Sequence, residues 1–276
     1  MLAPIMPGMD FDFSRIPVPF RMQPGLARLL PGTPQLTPLA PGSALHAEKQ
    51  AVLLAAGSRH CIPGFDPVPA IESIAEHARR TRTAGTFDSQ TPLETAFEED
   101  FAVLDGASGT LPWLCVCVPS HWAPEDKLGL DFMALHAPVA DNAALLAAAP
   151  RLVQLVTGGG CWERFVWTIS PSGRFDQHPR RHPRADWPPN GEDPQAFAAR
   201  CFLRTERQTF FPVGRGTRQA VFTIRVMLQP LVQAVQGPQQ ARRLHDALAS
   251  MSETVLAYKG LAAAQEPLLR WLRAVA

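Results

Sequence analysis

Two long runs rich in aromatic and branched residues, 201–211 (CFLRTERQTFF) and 217–228 (TRQAVFTIRVML), are separated only by the five residues PVGRG. Strand-forming runs joined by a short glycine-containing loop read as a β-hairpin, so the chain is expected to be built on antiparallel pairing. With Gly214 and Arg215 as a two-residue turn, Arg204 faces Arg225 and Glu206 faces Thr223. Glu206 is then diagonal to Arg225, and Gln208 extends the same stripe. Such a stripe is either a solvent-facing sheet surface or a buried charged cluster that needs a ligand. A slip of one residue would bring Arg207 and Thr209 to that face instead.

Further strand signals lie at 111–118 and 163–169, bounded by Gly, Pro or Ser, and 128–136 is a possible fifth. Helical spacing marks 46–56, 68–82 and 93–104, and the chain closes with helices expected at about 239–258 and 261–274. In 93–104 the apolar positions Phe97, Phe101 and Leu104 share one helix face, which leaves Glu98, Glu99 and Asp100 mainly solvated. Strands with helices around them give an α+β fold. Residues 1–45 are crowded with proline, which removes backbone donors, so this part is expected to be an arm packed on a domain formed by 46–276.

The formal net charge is +1, which gives no indication of nucleic acid or an anionic membrane as a partner. No apolar run reaches the roughly 20 residues of a membrane span, and no basic start precedes an apolar stretch, so a cytoplasmic protein is expected. Five scattered cysteines suit a reduced compartment. Cys115 and Cys117 share a strand face and read as core. Cys-Val-Cys lacks the Cys-His of covalent haem attachment, so any haem would be exchangeable. There is no Gly-x-Ser-x-Gly elbow, phosphate-binding glycine loop or HExxH zinc helix.

Segment 127–139 (KLGLDFMALHAPV) is the most informative stretch. As a strand it puts Leu128, Leu130, Phe132, Ala134 and His136 on one face. As a helix it sets Phe132 and Met133 four and three residues before His136. Either way His136 ends an apolar stripe, as a core histidine or as an axial metal ligand. His121, in PSHWAPEDK, is the runner-up at a turn beside Trp122. His178 and His182 are four apart, but Pro179 and Pro183 oppose a helix, so HPRRHP reads as a solvated basic loop.

Taken in order, PFRMQPGL (19–26), EEDFAVL (98–104), PSHWAPEDKLGLDFMALHAPV (119–139), ERFVWTI (163–169), LRTERQTFFPVGRGTRQAVFTIR (203–225) and MSETVLAYKG (251–260) resemble blocks of the haem-dependent oxidative N-demethylase family. The most specific parts are W-x-P-x-x-K-x-G followed by L-H-x-P-V, and E-R-Q-T followed by F-T-I-R. The resemblance implies a PAS-like antiparallel sheet holding noncovalent haem b. It also implies oxidation of a small secondary amine such as dimethylamine with O₂, and FMN and 2Fe-2S centres on electron-transferring partner subunits. It makes His136 the leading axial ligand, with Lys127, Arg207 and Trp122 as further haem contacts. Glu206 is the candidate for holding the ammonium, and Arg204 and Arg225 are candidates for pairing with propionates or polarising bound oxygen. Departures at Phe97-Glu98-Glu99-Asp100, Arg164-Phe165-Val166-Trp167 and Phe210-Phe211-Pro212 bear on substrate identity. Other readings are a PAS-like haem gas or redox sensor without turnover, and an interaction module that has lost haem.

Overall fold

The computed structural model describes residues 11–55, 57–83, 91–189, 191, 193–214 and 216–276. Seven strands form one open antiparallel sheet: β1 (Ala27–Arg28), β2 (Arg59–Cys61), β3 (Glu99–Asp105), β4 (Trp113–Cys115), β5 (Trp162–Ser170), β6 (Phe202–Pro212) and β7 (Gln219–Pro230). Their order across the sheet is β1-β5-β6-β7-β3-β4-β2. The helices are α1 (Ala44–Leu54), α2 (Val68–Arg80), α3 (Leu93–Ala96), α4 (Phe132–His136), α5 (Ala143–Thr157), α6 (Pro194–Ala199), α7 (Leu231–Ala234), α8 (Pro238–Ala249), α9 (Glu253–Lys259) and α10 (Gln265–Ala274). The chain is therefore α+β, and none of these helices is long and apolar enough to cross a membrane. All five cysteines are unpaired, and Cys115 and Cys117 are buried.

Both sheet faces are covered. On one, α1 packs Leu45 and Val52 against Ile224, Val226 and Leu228, and α5 packs Val153 and Val156 against Ala102 and Leu104. On the other, Ile74 and Ala78 of α2 meet Phe101, Val103 and Phe211, while the C-terminal helices bury Trp167, Ile169 and Leu203. The proline-rich segment runs across this second face: Phe11, Phe13 and Ile16 are buried, and Pro38 bridges to Phe97. Its first ten residues lie outside those described.

The hairpin forms, but three residues away from the expected register. Val213 donates its amide to the Gln219 carbonyl at 3.0 Å, so the loop runs over 214–218 and no two-residue turn closes it. Arg215 lies outside the described residues. Arg207 therefore pairs with Arg225, Glu206 with Val226 and Arg204 with Leu228. A shift by an odd number sends one partner's side chains to the other face, so Arg225 leaves the face of Glu206 and Arg204 and joins Arg207 on the opposite one.

The helix expected over 93–104 stops at Ala96, and β3 follows in the middle of the sheet. Four consecutive apolar residues, Phe101 to Leu104, suit a strand covered on both faces better than one helix stripe. Glu99 and Asp100 are thus buried, contrary to the solvated expectation. Lys49 of α1 reaches them, forming an ion pair with Asp100 at 3.0 Å and donating to the carbonyls of Phe97 and Glu99 at 3.1 and 2.8 Å. The expected helix over 239–258 is two helices, because Ser252 accepts the Val255 amide at 3.2 Å and caps a fresh start for α9. The strand reading of 128–136 gives way to α4, capped by Asp131, which accepts the Ala134 amide at 2.7 Å.

Glu99 makes a pH-dependent contribution to stability. It is 1% exposed, and its carboxylate accepts the Thr37 amide at 2.9 Å, while Oε1 has no hydrogen-bond partner. Burial raises its pKa from 4.5 to about 7, against the Thr37 amide and the Arg225 charge. A carboxyl raised in this way binds its proton more tightly in the folded state, so stability falls as pH rises from the unfolded to the folded pKa. Glu99→Gln is expected to flatten that slope and to add on the order of 3 kcal/mol above neutrality. Urea unfolding on the acid and alkaline sides of this window measures it, and an unchanged slope would contradict it.

Candidate functional site

The alternation of β5 and β6 determines which side chains meet on the face that carries α4 and α5. Arg164 pairs with Gln208, Val166 with Glu206 and Thr168 with Arg204, and antiparallel partners share a face. Glu206 is held at both oxygens. Ser120 donates its hydroxyl to Oε1, and Gln208 Nε2 donates to Oε2 at 2.7 Å. Arg204 Nε in turn donates to Ser120 Oγ at 2.8 Å.

Arg204 is 1% exposed, and burial pushes its pKa down to about 10. Its other donors reach the carbonyls of Arg174, Val118 and Phe175 at 2.9–3.2 Å, so it ties two loops to the sheet. Those bonds occupy the fork that a propionate or bound oxygen would need. Arg207 and Arg225 lie on the opposite face, at Glu163 (3.0 Å) and Glu98 (2.6 Å) respectively.

His136 sits at the end of α4, stacked on Phe132 with ring centres 4.0 Å apart. Its Nδ1 lies 2.7 Å from the Phe132 carbonyl, which can only accept, so Nδ1 carries the proton and Nε2 keeps its lone pair in the neutral ring. Burial lowers the His136 pKa, opposed by the Phe132 carbonyl and assisted by Arg164 and Lys127. Around it the half-buried Trp122, Leu128, Phe132, Leu135, Trp162, Phe210 and Phe222 form an apolar surface over the α5 core. Lys127 is half-buried at this end of the sheet. His121 lies at a turn with φ 59°, and burial beside Arg184 and Arg204 holds its pKa at about 4.

Arg164 joins the two groups and was not singled out from the sequence. Its charge acts on both His136 and Glu206. The residue is half-buried, while its Nε is shielded from solvent and has no hydrogen-bond partner. Burial lowers its pKa despite Glu206. An orphaned guanidinium nitrogen next to a fixed, neutral imidazole and an apolar surface fits a planar, partly anionic cofactor. Tyr258 and Lys259 of α9, also missed, approach from the sheet edge: Glu206 and Arg164 act on both. Strand alternation in ERFVWTI could have placed Arg164, whereas nothing local in MSETVLAYKG marks Tyr258 or Lys259 as near the sheet.

The loop with His178 and His182 is not solvated throughout, as expected from its prolines and charge. His178 is 3% exposed with Nε2 3.1 Å from Glu125, and Arg181 pairs with buried Asp176 at 2.8 Å. Arg180 forms ion pairs with Glu125 and Asp126. The loop clasps the 124–126 turn and offers no free pair of imidazoles.

The fold and site together define an α+β protein with a histidine at the rim of an apolar surface and a carboxylate fixed at both oxygens on the same sheet face. Residues 72–269, more than half of the chain, match the family described as haem-dependent oxidative N-demethylase, alpha subunit-like. The chain belongs to that family, whose description carries haem dependence, oxidative N-demethylation and a multi-subunit setting.

Proposed function

We propose that this chain is the haem-binding catalytic subunit of an oxygen-dependent N-demethylase acting on a small secondary amine of the dimethylamine type. In this reading the antiparallel sheet is PAS-like and the haem is b-type. Electrons arrive from flavin (FMN) and iron–sulfur (2Fe-2S) partner subunits. The observation that carries the reading is the fixed tautomer of His136: Nδ1 donates to the Phe132 carbonyl, leaving Nε2 free at the rim of an apolar surface.

When bound, the haem supplies the iron at which O₂ is reduced at the expense of the amine and the external electrons. The chain's residues do the rest. His136 Nε2 is the iron ligand, with Phe132 as the carbonyl that orients it. Trp122, Phe132 and Leu135 cover the ring and exclude water. Arg164 and Lys127 supply positive charge beside it. Glu206, locked by Ser120 and Gln208, holds the ammonium of the amine and takes a proton from it. The neutral amine would give up two electrons and a C–H proton to the O₂ reduction that the bound haem would supply, and water would hydrolyse the resulting iminium to formaldehyde and the shorter amine.

Oxygen uptake by the reduced, haem-loaded protein on addition of dimethylamine tests this reading, with formaldehyde as the product. Uptake that depends on the amine is expected. Reversible O₂ or CO binding with no turnover of any small methylated amine would favour a sensor instead.

A further inference from the structure

Beyond the site above, a shallow, solvent-open cleft lies at the edge of β5, lined by His121, Thr168, Ser172, Arg184, Trp187 and Lys259 among others. No Asp or Glu lines it. Lys259 Nζ donates to the Trp167 carbonyl at 2.8 Å and stands 5.3 and 5.5 Å from the ring centres of Phe20 and Trp167, which fixes it along the strand edge. The Arg184 guanidinium lies on Gly260, its Nη1 2.4 Å from where a Cβ would stand, and Gly260 closes α9 at φ 68°. Among the described residues neither Arg184 nor His121 has a hydrogen-bond or ion-pair partner. The charge balance is one-sided as well: Glu206 is surrounded by Arg164, Arg204 and Lys259. Burial lowers the Lys259 pKa to about 8, the mark of an ammonium without enough counter-charge.

We infer that this cleft holds a carboxylate of the haem, with Arg184 and Lys259 as its cationic partners. The assignment rests on the haem reading above. Thr168 stands four residues from Arg164 on the same strand face, about 13 Å along β5, so a porphyrin lying over Arg164 reaches the cleft with its carboxylate-bearing edge. An anion here balances the cations around Glu206 and leaves that carboxylate available to an ammonium. Guanidinium and ammonium donors to a carboxylate are the strong, charge-assisted kind.

Titration of the apo chain with haemin and with haemin dimethyl ester, whose carboxylates are blocked, reads this by Soret absorbance. The wild type is expected to bind haemin about tenfold more tightly than the ester. Arg184→Gln combined with Lys259→Met is expected to remove that advantage by weakening haemin alone. Equal affinity of the wild type for both forms overturns the assignment, as does a double variant that weakens both forms alike. If the double variant does not fold, the wild-type comparison and Arg184→Gln alone decide. A wild type that takes up neither form overturns the haem reading itself, whereas equal uptake of both overturns only the carboxylate cleft.

Discussion

His136→Ala is expected to lower haem affinity by about a thousandfold, well beyond the ten- to hundredfold typical of losing a ligand's supporting hydrogen bond. The reason is geometric. α4 is a five-residue helix whose last residue is His136, and the Phe132 carbonyl fixes the ring while Phe132 stacks on it. His77 also keeps an unpartnered Nε2, but it is 3% exposed, stacked on Phe211 and closed into the core of the opposite sheet face, whereas His136 stands at the rim of its apolar surface. His178 Nε2 is engaged by Glu125, and His121 lies among cations in the β5-edge cleft. His121→Ala and His178→Ala should therefore leave the spectrum close to wild type. Haemin titration of the three variants measures this. Loss at His121 with retention at His136 would move the ligand to the turn before Trp122. The α4 histidine is only half-buried, so its removal should cost little stability.

Glu206→Gln is expected to keep the Soret band and lower kcat/KM for the amine by about a thousandfold, or about 4 kcal/mol. Glutamine preserves the shape and can still meet Ser120 and Gln208, so folding should survive. What disappears is the negative charge that attracts and orients an ammonium, and orientation is the part of catalysis most sensitive to small displacement. Amine-dependent oxygen uptake with a chemical reductant reads the loss, and the Soret band reads haem retention. Equal rates in variant and wild type would remove Glu206 from the reaction. Failure of Glu206→Gln to fold would make it a structural partner of Ser120 and the arginines.

The α+β class and the long β5–β6–β7 run were legible because aromatic and branched residues outnumber everything else there. Register was not, since the choice between a two-residue turn and the five-residue loop 214–218 depends on one amide, Val213 to Gln219. That single choice decided whether Arg225 shared a face with Glu206. β3 was misread because its acidic start looks solvated until Lys49, distant in sequence, is seen to pair with Asp100. His136 and Glu206 were visible locally and in the family blocks. Arg164, Tyr258 and Lys259 come together only through packing of α9 along β5, which no local pattern records.

The absorption spectrum of protein purified from haem-supplied cells bears most directly on the central claim. A Soret band that leaves the protein on acid–organic extraction is the expected result, since Cys-Val-Cys lacks the following Cys-His of covalent attachment. Colourless protein that also fails to take up added haemin would contradict it.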